Sequence, residues 1–240
     1  MQSVIEKTVR EIALENPSSI RVFEALGIDY CCGGKRSLTD ACSRADIDID
    51  KALAMLAQTD HDNFKGDSGD WVIKPLSELI GHIETQHHGF VRRETPRLVG
   101  LLVKVHTKHG AAHPEIAQVE QLFYAMGQEL STHMLKEEQV LFPHIERLEK
   151  AIETGIPAPT AFFGSVARPI AHMTADHDDA GAILSQIREL TNQYAPPPGA
   201  CPTFVALYRG LEEFEQDLHQ HVHLENNILF PRAIELERKH

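Results

Sequence analysis

Two histidine–glutamate pairs at helical spacing, His133/Glu137 and His221/Glu225, stand 88 positions apart in this chain. Their surroundings repeat in register. His133-Met-Leu-Lys-Glu137-Glu-Gln-Val-Leu-Phe142-Pro143 is answered by His221-Val-His-Leu-Glu225-Asn-Asn-Ile-Leu-Phe230-Pro231. Residues four apart on an α-helix lie one turn apart on the same face. Each pair therefore presents one imidazole nitrogen and one carboxylate to a common point. A single His-x-x-x-Glu is most often a solvated ion pair. Two copies at one fixed spacing, each followed by Leu-Phe-Pro, instead mark a repeated structural unit.

The repeat has upstream echoes. His177 precedes His221 by 44 positions, and His88 precedes His133 by 45. His82 and His87 compete with His88, and spacing alone does not choose among them. Four imidazoles and two carboxylates suit a dinuclear metal site, because a carboxylate can bridge two cations. Mixed imidazole and carboxylate donors favour Fe, Mn or Zn over Cu(I) or Ca. Of the other histidines, those at 61, 106, 109, 113, 144, 172, 219, 223 and 240 are expected at the surface, a few of them supporting the ligands.

The elements that must position these residues are helices. With 240 residues, 42% hydrophobic and 24% charged, the chain can hold one large domain or a mid-sized one with a small companion. Long helical patterns run near 75–106, 114–150, 168–195 and 202–238, broken at Gly110–His113, Thr154–Gly164 and Pro196–Gly199. Alternating strand patterns are scarce. The expectation is all-α: an up-down-up-down four-helix bundle over 75–240, with Pro96, Pro143 and Pro231 kinking or ending helices locally. Residues 1–60 read as a small helical domain with short helices near 18–26, 38–45 and 49–58. Ser3 and Glu6 offer a capping box for the first helix, which Pro17 stops, and Gly27 ends the second. Residues 61–74 read as a linker, with Trp71 anchoring its end.

A net charge of −12 argues against nucleic acid as a partner. No apolar run approaches membrane-spanning length, and the N-terminus has no apolar signal region. With only four cysteines the reducing cytoplasm is the expected compartment.

Cys31 and Cys32 lie in the loop-like run Asp29-Tyr30-Cys31-Cys32-Gly33-Gly34-Lys35. A flexible, exposed turn is expected there, its glycines allowing positive φ or close approach of another backbone. Lys35 and Arg36 are placed to lower a thiol pKa. The alternative is two small apolar residues packed under a turn. Cys42 and Cys201 read as structural.

These motifs carry a resemblance over nearly the whole chain. Residues 75–240 resemble hemerythrin-like di-iron bundles. Residues 1–60, with Asp29-Tyr30-Cys31-Cys32-Gly33-Gly34, resemble the N-terminal domain of the di-iron iron–sulfur cluster repair family (Repair of Iron Centres, ScdA/YtfE type). The resemblance implies iron ligands at His88, His133, Glu137, His177, His221 and Glu225, and so chooses His88 over His87. It implies two irons, bridged by Glu137 and Glu225 and by an oxo or hydroxo group. It implies repair of iron–sulfur clusters damaged by nitrosative or oxidative stress. Damaged iron–sulfur proteins or cluster-assembly machinery would be partners, with NO or O2 as small ligands. Apart from the resemblance, a homodimer with the small domain placed over a bundle would let two cysteine loops contribute jointly. The resemblance also implies a working thiol pair, without choosing among redox exchange, iron capture and handling of NO. One departure is visible. Oxygen-carrying hemerythrins have a further histidine one turn after the third-helix ligand, where this chain has Gly181. An O2 or NO sensor, an NO-reducing enzyme and a closed structural metal bundle are the competing readings.

Overall fold

The computed structural model describes residues 2–59, 71–157 and 161–239. Residues 61–70 of the expected linker lie outside the described residues, as do His61 and His240. Among the described residues there is no β-strand, only isolated bridges such as Thr8 with Ser37.

Five short helices come first: α1 (Gln2–Ile5), α2 (Val9–Glu15), α3 (Ser19–Leu26), α4 (Leu38–Arg44) and α5 (Ile49–Leu56). The capping box is one turn later than the sequence suggests. Ser3 lies inside α1, whereas Thr8 caps α2 by accepting from Glu11 N while the Glu11 carboxylate accepts from Thr8 N. Gly27 ends α3 as expected, at φ +65°. Ser37 and Asp48 cap α4 and α5 with their side-chain oxygens.

Four long rods follow. The first joins α6 (Leu76–His82) to α7 (Gly89–His109) through a π-helical turn, Ile83–His88. The second joins α8 (Glu115–Lys136) to α9 (Phe142–Thr154) through the π turn Glu137–Leu141. The third is α10 (Ala167–Leu190). The fourth joins α11 (Pro202–Leu224) to α12 (Phe230–Arg238) through the π turn Glu225–Leu229. Two of the three prolines expected to disturb the rods explain two of these turns. Pro143 and Pro231 have no N–H for the carbonyl four residues back. The N–H just before each reaches one residue further, Phe142 to Glu137 O and Phe230 to Glu225 O. Pro96, in contrast, sits inside α7 without ending it. The third rod ends five residues before the expected 195, because Asn192, Gln193 and Tyr194 all take positive φ.

The apolar side chains form two clusters. One holds Val91, Leu98, Phe123, Leu130, Leu184 and Phe214 of the bundle, and the N-terminal helices add Phe23, Tyr30 and Leu38 to it. The other holds Trp71, Leu79, Ile83, Phe142, Val166 and Phe230. Trp71 does anchor its end: its carbonyl accepts from Arg232 Nη1 at 2.6 Å. His88, Glu137 and His177 fall where their rods pass from one cluster to the other.

The 88-residue period also governs helix ends. Glu149 accepts from the N–H groups of Leu76 (2.6 Å) and Ser77 (2.9 Å), capping the start of α6. Glu237, 88 positions on, accepts from Val166 N at 2.9 Å at the start of α10. Each carboxylate sits at the positive end of a helix dipole. Glu149→Ala is expected to cost about 1–2 kcal/mol in denaturant unfolding, as loss of a good cap does. An unchanged midpoint would remove Glu149 as a cap.

Candidate metal centre

His88, His133, Glu137, His177, His221 and Glu225 meet in one buried layer, the two glutamates with no exposed surface. Glu137 and Glu225 open their π turns and His88 closes the first. Every π turn among the described residues thus carries one of the six at an end. Such turns concentrate at functional sites because the extra residue re-aims side chains.

The six form two groups that share both carboxylates. His88, Glu137, His221 and Glu225 make one, and His133, Glu137, His177 and Glu225 the other. Glu137 places Oε2 3.5 Å from His88 Nε2 and Oε1 3.2 Å from His133 Nε2. Glu225 places Oε1 3.1 Å from His221 Nε2 and Oε2 3.0 Å from His177 Nε2. Within each group the imidazoles face each other through Nε2, at 3.2 Å for His88 and His221 and 3.1 Å for His133 and His177.

This donor set fits cations. Two buried carboxylates side by side demand positive charge. Among the described residues, both Glu137 oxygens and Glu225 Oε2 are buried without accepting a well-aligned hydrogen bond, although imidazole nitrogens lie 3.0–3.5 Å away. The electrostatics agree. Burial opposes ionisation of Glu225, but the charge of His221 and the close imidazole nitrogens of His177 and His221 hold it well below the usual carboxylate range. Glu137 is also held down against burial and the charge of Glu225, through His133 and His88. Burial alone would push His133 down, yet Glu137 and Glu225 raise it to about 9.

The next layer out was not foreseen. Glu138 accepts from His88 Nδ1 at 2.7 Å and is itself gripped by Arg92. Asn226 Oδ1 accepts from His177 Nδ1 at 3.1 Å. These are the residues immediately after the two repeated glutamates, so the repeat extends to the orienting groups and could have flagged them. Asp176 lies 3.2 Å from His133 Nδ1, while His221 Nδ1 is buried without a hydrogen-bond partner among the described residues. Each group thus has one carboxylate-backed imidazole and one held weakly or not at all. Such partners fix the tautomer and raise ligand basicity. Glu138→Ala is expected to weaken metal binding at the His88 side about 10–100-fold. A competition titration with a chelator measures this, and equal affinity in the variant would refute the orienting role.

The competing histidines are accounted for. His87 is buried outside the layer, its Nδ1 3.1 Å from Asp217 Oδ1 and its ring stacked on His221. His82 packs on Trp71. Two histidines expected at the surface are instead buried. His144 packs against Phe163, and His223 against Tyr30, where it bonds to Asn227.

Cys31 and Cys32 are not in the metal layer, and the sequence reading of their loop needs three corrections. Cys31 is buried, not exposed, at 6%. Its thiol pKa is pushed up by the neighbouring Cys32 thiol and by burial, not lowered, and Arg36 is drawn to Asp29 instead. Gly33 and Gly34 do not take positive φ. Their second expected use is the real one, since a Cβ on Gly34 would lie 2.9 Å from Asn227 Oδ1 and from Tyr30 O. The loop is stitched down: Arg10 N donates to Gly34 O at 2.8 Å and Asn227 Nδ2 to Tyr30 O at 3.1 Å. Asn226 spans both sites, with Oδ1 on His177 and Nδ2 3.5 Å from Cys31 O. A Cβ on Gly181 would meet nothing within 4 Å. Gly181 faces a cavity of about 770 Å³ shared with Cys31 and Cys32.

Known proteins are similar to this chain over most of its length. Residues 79–233 match the family of the hemerythrin HHE cation binding domain, and residues 5–60 match ScdA_N, a domain of unknown function. The iron-sulfur cluster repair protein YtfE of Citrobacter koseri is 38% identical over 231 residues, covering 95% of this chain and 97% of its own. The proteins of that name from Salmonella newport and Salmonella gallinarum are 37% identical over 230 residues, with the same coverage. No helix among the described residues is long and apolar enough to cross a membrane.

Proposed function

The chain belongs to the family of iron–sulfur cluster repair proteins built on a hemerythrin HHE bundle, and from that membership we propose that it helps restore iron–sulfur clusters damaged by nitrosative or oxidative stress. One observation carries the reading: two imidazole pairs share both buried carboxylates, each glutamate turning one oxygen to each pair. His88 and His221 would hold one iron and His133 and His177 the other, with Glu137, Glu225 and an oxo or hydroxo group bridging. Iron bound there supplies one-electron redox chemistry and a releasable store of the metal. The functional division is a thiol-bearing domain over 1–60, a linker over 61–74 and the di-iron bundle over 75–240.

The residues of this chain support exchange at the centre. Glu137 and Glu225 hold negative charge where a cation must sit. Asn226, a neutral amide, supports His177, and His221 Nδ1 has no hydrogen-bond partner among the described residues, so one imidazole of each pair lacks a carboxylate behind it. Gly181 supplies no further donor where a carrier would have one, which favours repair over storage of O2. Damaged iron–sulfur proteins or the machinery that builds them are the partners of this reading.

The test uses a cluster enzyme inactivated by nitric oxide. The purified di-iron protein should restore its activity, and Glu137→Leu or Glu225→Leu should abolish the recovery. Undiminished repair by both variants sinks the proposal. A long-lived O2 adduct of the reduced protein, with no repair, would favour a carrier or sensor. Sustained gas production from NO with an electron donor would favour an NO-reducing enzyme.

A further inference from the structure

The buried layer does not account for all the metal-binding chemistry of the chain. Asp29, Cys31 and Cys32 form a third group whose ligand atoms all lie within 4.8 Å of one another. The two sulfurs are 3.9 Å apart, and Cys31 Sγ is 3.5 Å from Asp29 Oδ1. A tetrahedral ion with metal–sulfur bonds of about 2.3 Å and a metal–oxygen bond of about 2.1 Å has S···S and S···O edges of about 3.8 and 3.6 Å. Both observed separations match those edges. From this geometry we propose that Asp29, Cys31 and Cys32 form a separate mononuclear site for a thiophilic divalent cation, of the class of Zn(II), Co(II) or Fe(II), open to the adjoining cavity.

The surroundings favour such an ion. Asp29 is held in place from two sides. Its Oδ1 accepts from Cys32 N at 2.9 Å, and its Oδ2 lies 3.7 Å from Arg36 Nη1. Arg36 thus takes the outer oxygen and leaves the inner one beside the thiols. The cavity of about 770 Å³ is lined by six carboxylates, Glu24, Asp29, Asp178, Glu189, Glu212 and Glu215. Its one arginine, Arg188, is engaged by Glu215 at 2.9 Å. That pairing leaves five carboxylates, and a cavity wall in which one sign of charge predominates concentrates counter-ions. The loop does not have to close around the ion, because Asn227 and Gly34 already fix the Cys31 carbonyl and the backbone beyond it. Two thiolates and a carboxylate make three ligands, and the fourth position faces the cavity, where water or an incoming donor can exchange. Three protein ligands with one open position is the pattern of a working site rather than a sealed structural one. Binding displaces the two thiol protons to the buffer, and no electron moves. Burial makes those protons harder to remove, so this site is weaker than an exposed thiolate pair and suited to transient holding.

This inference does not depend on iron in the bundle, because the bundle layer contains no sulfur. The test is anaerobic titration of the full chain with Co(II), reading the sulfur-to-cobalt charge-transfer absorption as a difference spectrum. The expected result is one such cobalt per chain. The band should vanish in Cys31→Ser and in Cys32→Ser and persist in Cys42→Ser. It should also persist in Glu225→Leu, where the bundle centre is disrupted. Asp29→Asn should weaken binding about 10-fold or more. If a serine variant fails to fold, the wild-type band and the Asp29→Asn affinity decide, since the Asp29 side chain is 45% exposed. No thiolate band in the wild type, or a band that survives loss of both cysteines, overturns the site.

Discussion

Glu225→Leu is expected to strip metal from both halves of the bundle centre, whereas His88→Ala should strip one. Glu225 belongs to both donor groups, and so does Glu137; each histidine belongs to only one. Removing a shared carboxylate takes one oxygen and about one unit of negative charge from each position. Loss of an outer-layer partner costs about 10–100-fold in metal affinity, and loss of the ligand itself should exceed the upper figure at both positions. Metal analysis after gel filtration should give about two ions in the wild type, about one in His88→Ala and far fewer than one in Glu225→Leu. Stability sharpens the contrast. Without metal, Glu225→Leu leaves the buried imidazoles of His177 and His221 without their carboxylate, and removing one partner of a buried pair costs about 3–5 kcal/mol. The metal-free variant should therefore unfold below the midpoint of the metal-free wild type. With metal present the wild type alone gains, by about 2.7 kcal/mol when free metal exceeds its dissociation constant 100-fold. Equal metal loss in the histidine and glutamate variants would mean that the carboxylates are not shared.

The buried layer was legible because its side chains obey a helical period and a chain period together. His133/Glu137 and His221/Glu225 are paired by the four-residue turn, and the 88-residue repeat binds the pairs to each other. His88 could not be separated from His87 on spacing, since adjacent residues on an ideal helix differ by about 100° and a small rotation exchanges them. The π turn Ile83–His88 supplies that rotation. Pro143 and Pro231 signal a disturbed helix, but not that the chain absorbs it by widening the turn. Pro96 shows that a proline alone does not produce one. The loop at Cys31 was the least legible part. Its partners Asn226 and Asn227 are 195 or more positions away, and no local pattern carries a contact over that separation. Read locally, two cysteines followed by two glycines look flexible. The amides that pin them belong to the same π turn as Glu225, so the segment that completes the metal layer also seats the thiol loop.

That shared segment gives the second large effect. Gly34→Ala is expected to free the N-terminal helices while leaving the bundle centre loaded. A Cβ at this position would lie 2.9 Å from Tyr30 O, 2.9 Å from Asn227 Oδ1 and 3.2 Å from Arg10 Cβ. None of these can retreat cheaply. Tyr30 O is held by Asn227 Nδ2 at 3.1 Å, and the carbonyl of Gly34 itself is held by Arg10 N at 2.8 Å. Overpacking of this kind costs about 1–3 kcal/mol. Asn227→Leu attacks the same contact from the bundle side. It abolishes the hydrogen bonds to Tyr30 O and Cys31 O and to His223 Nδ1, and each polar group left buried and unpaired costs about 1–3 kcal/mol. Because both changes break one junction, their effects should be less than additive in the double variant. Hydrogen exchange should show lost protection across Val9–Leu56 in either variant, with α7 and α8 still protected and metal content unchanged. The reason is positional: all six side chains of the layer stand on the bundle rods, and none stands on α1–α5. Protection lost equally in both parts would mean that the N-terminal helices and the bundle unfold as one unit, and the loop would then be a seam of the core instead of a separable cover.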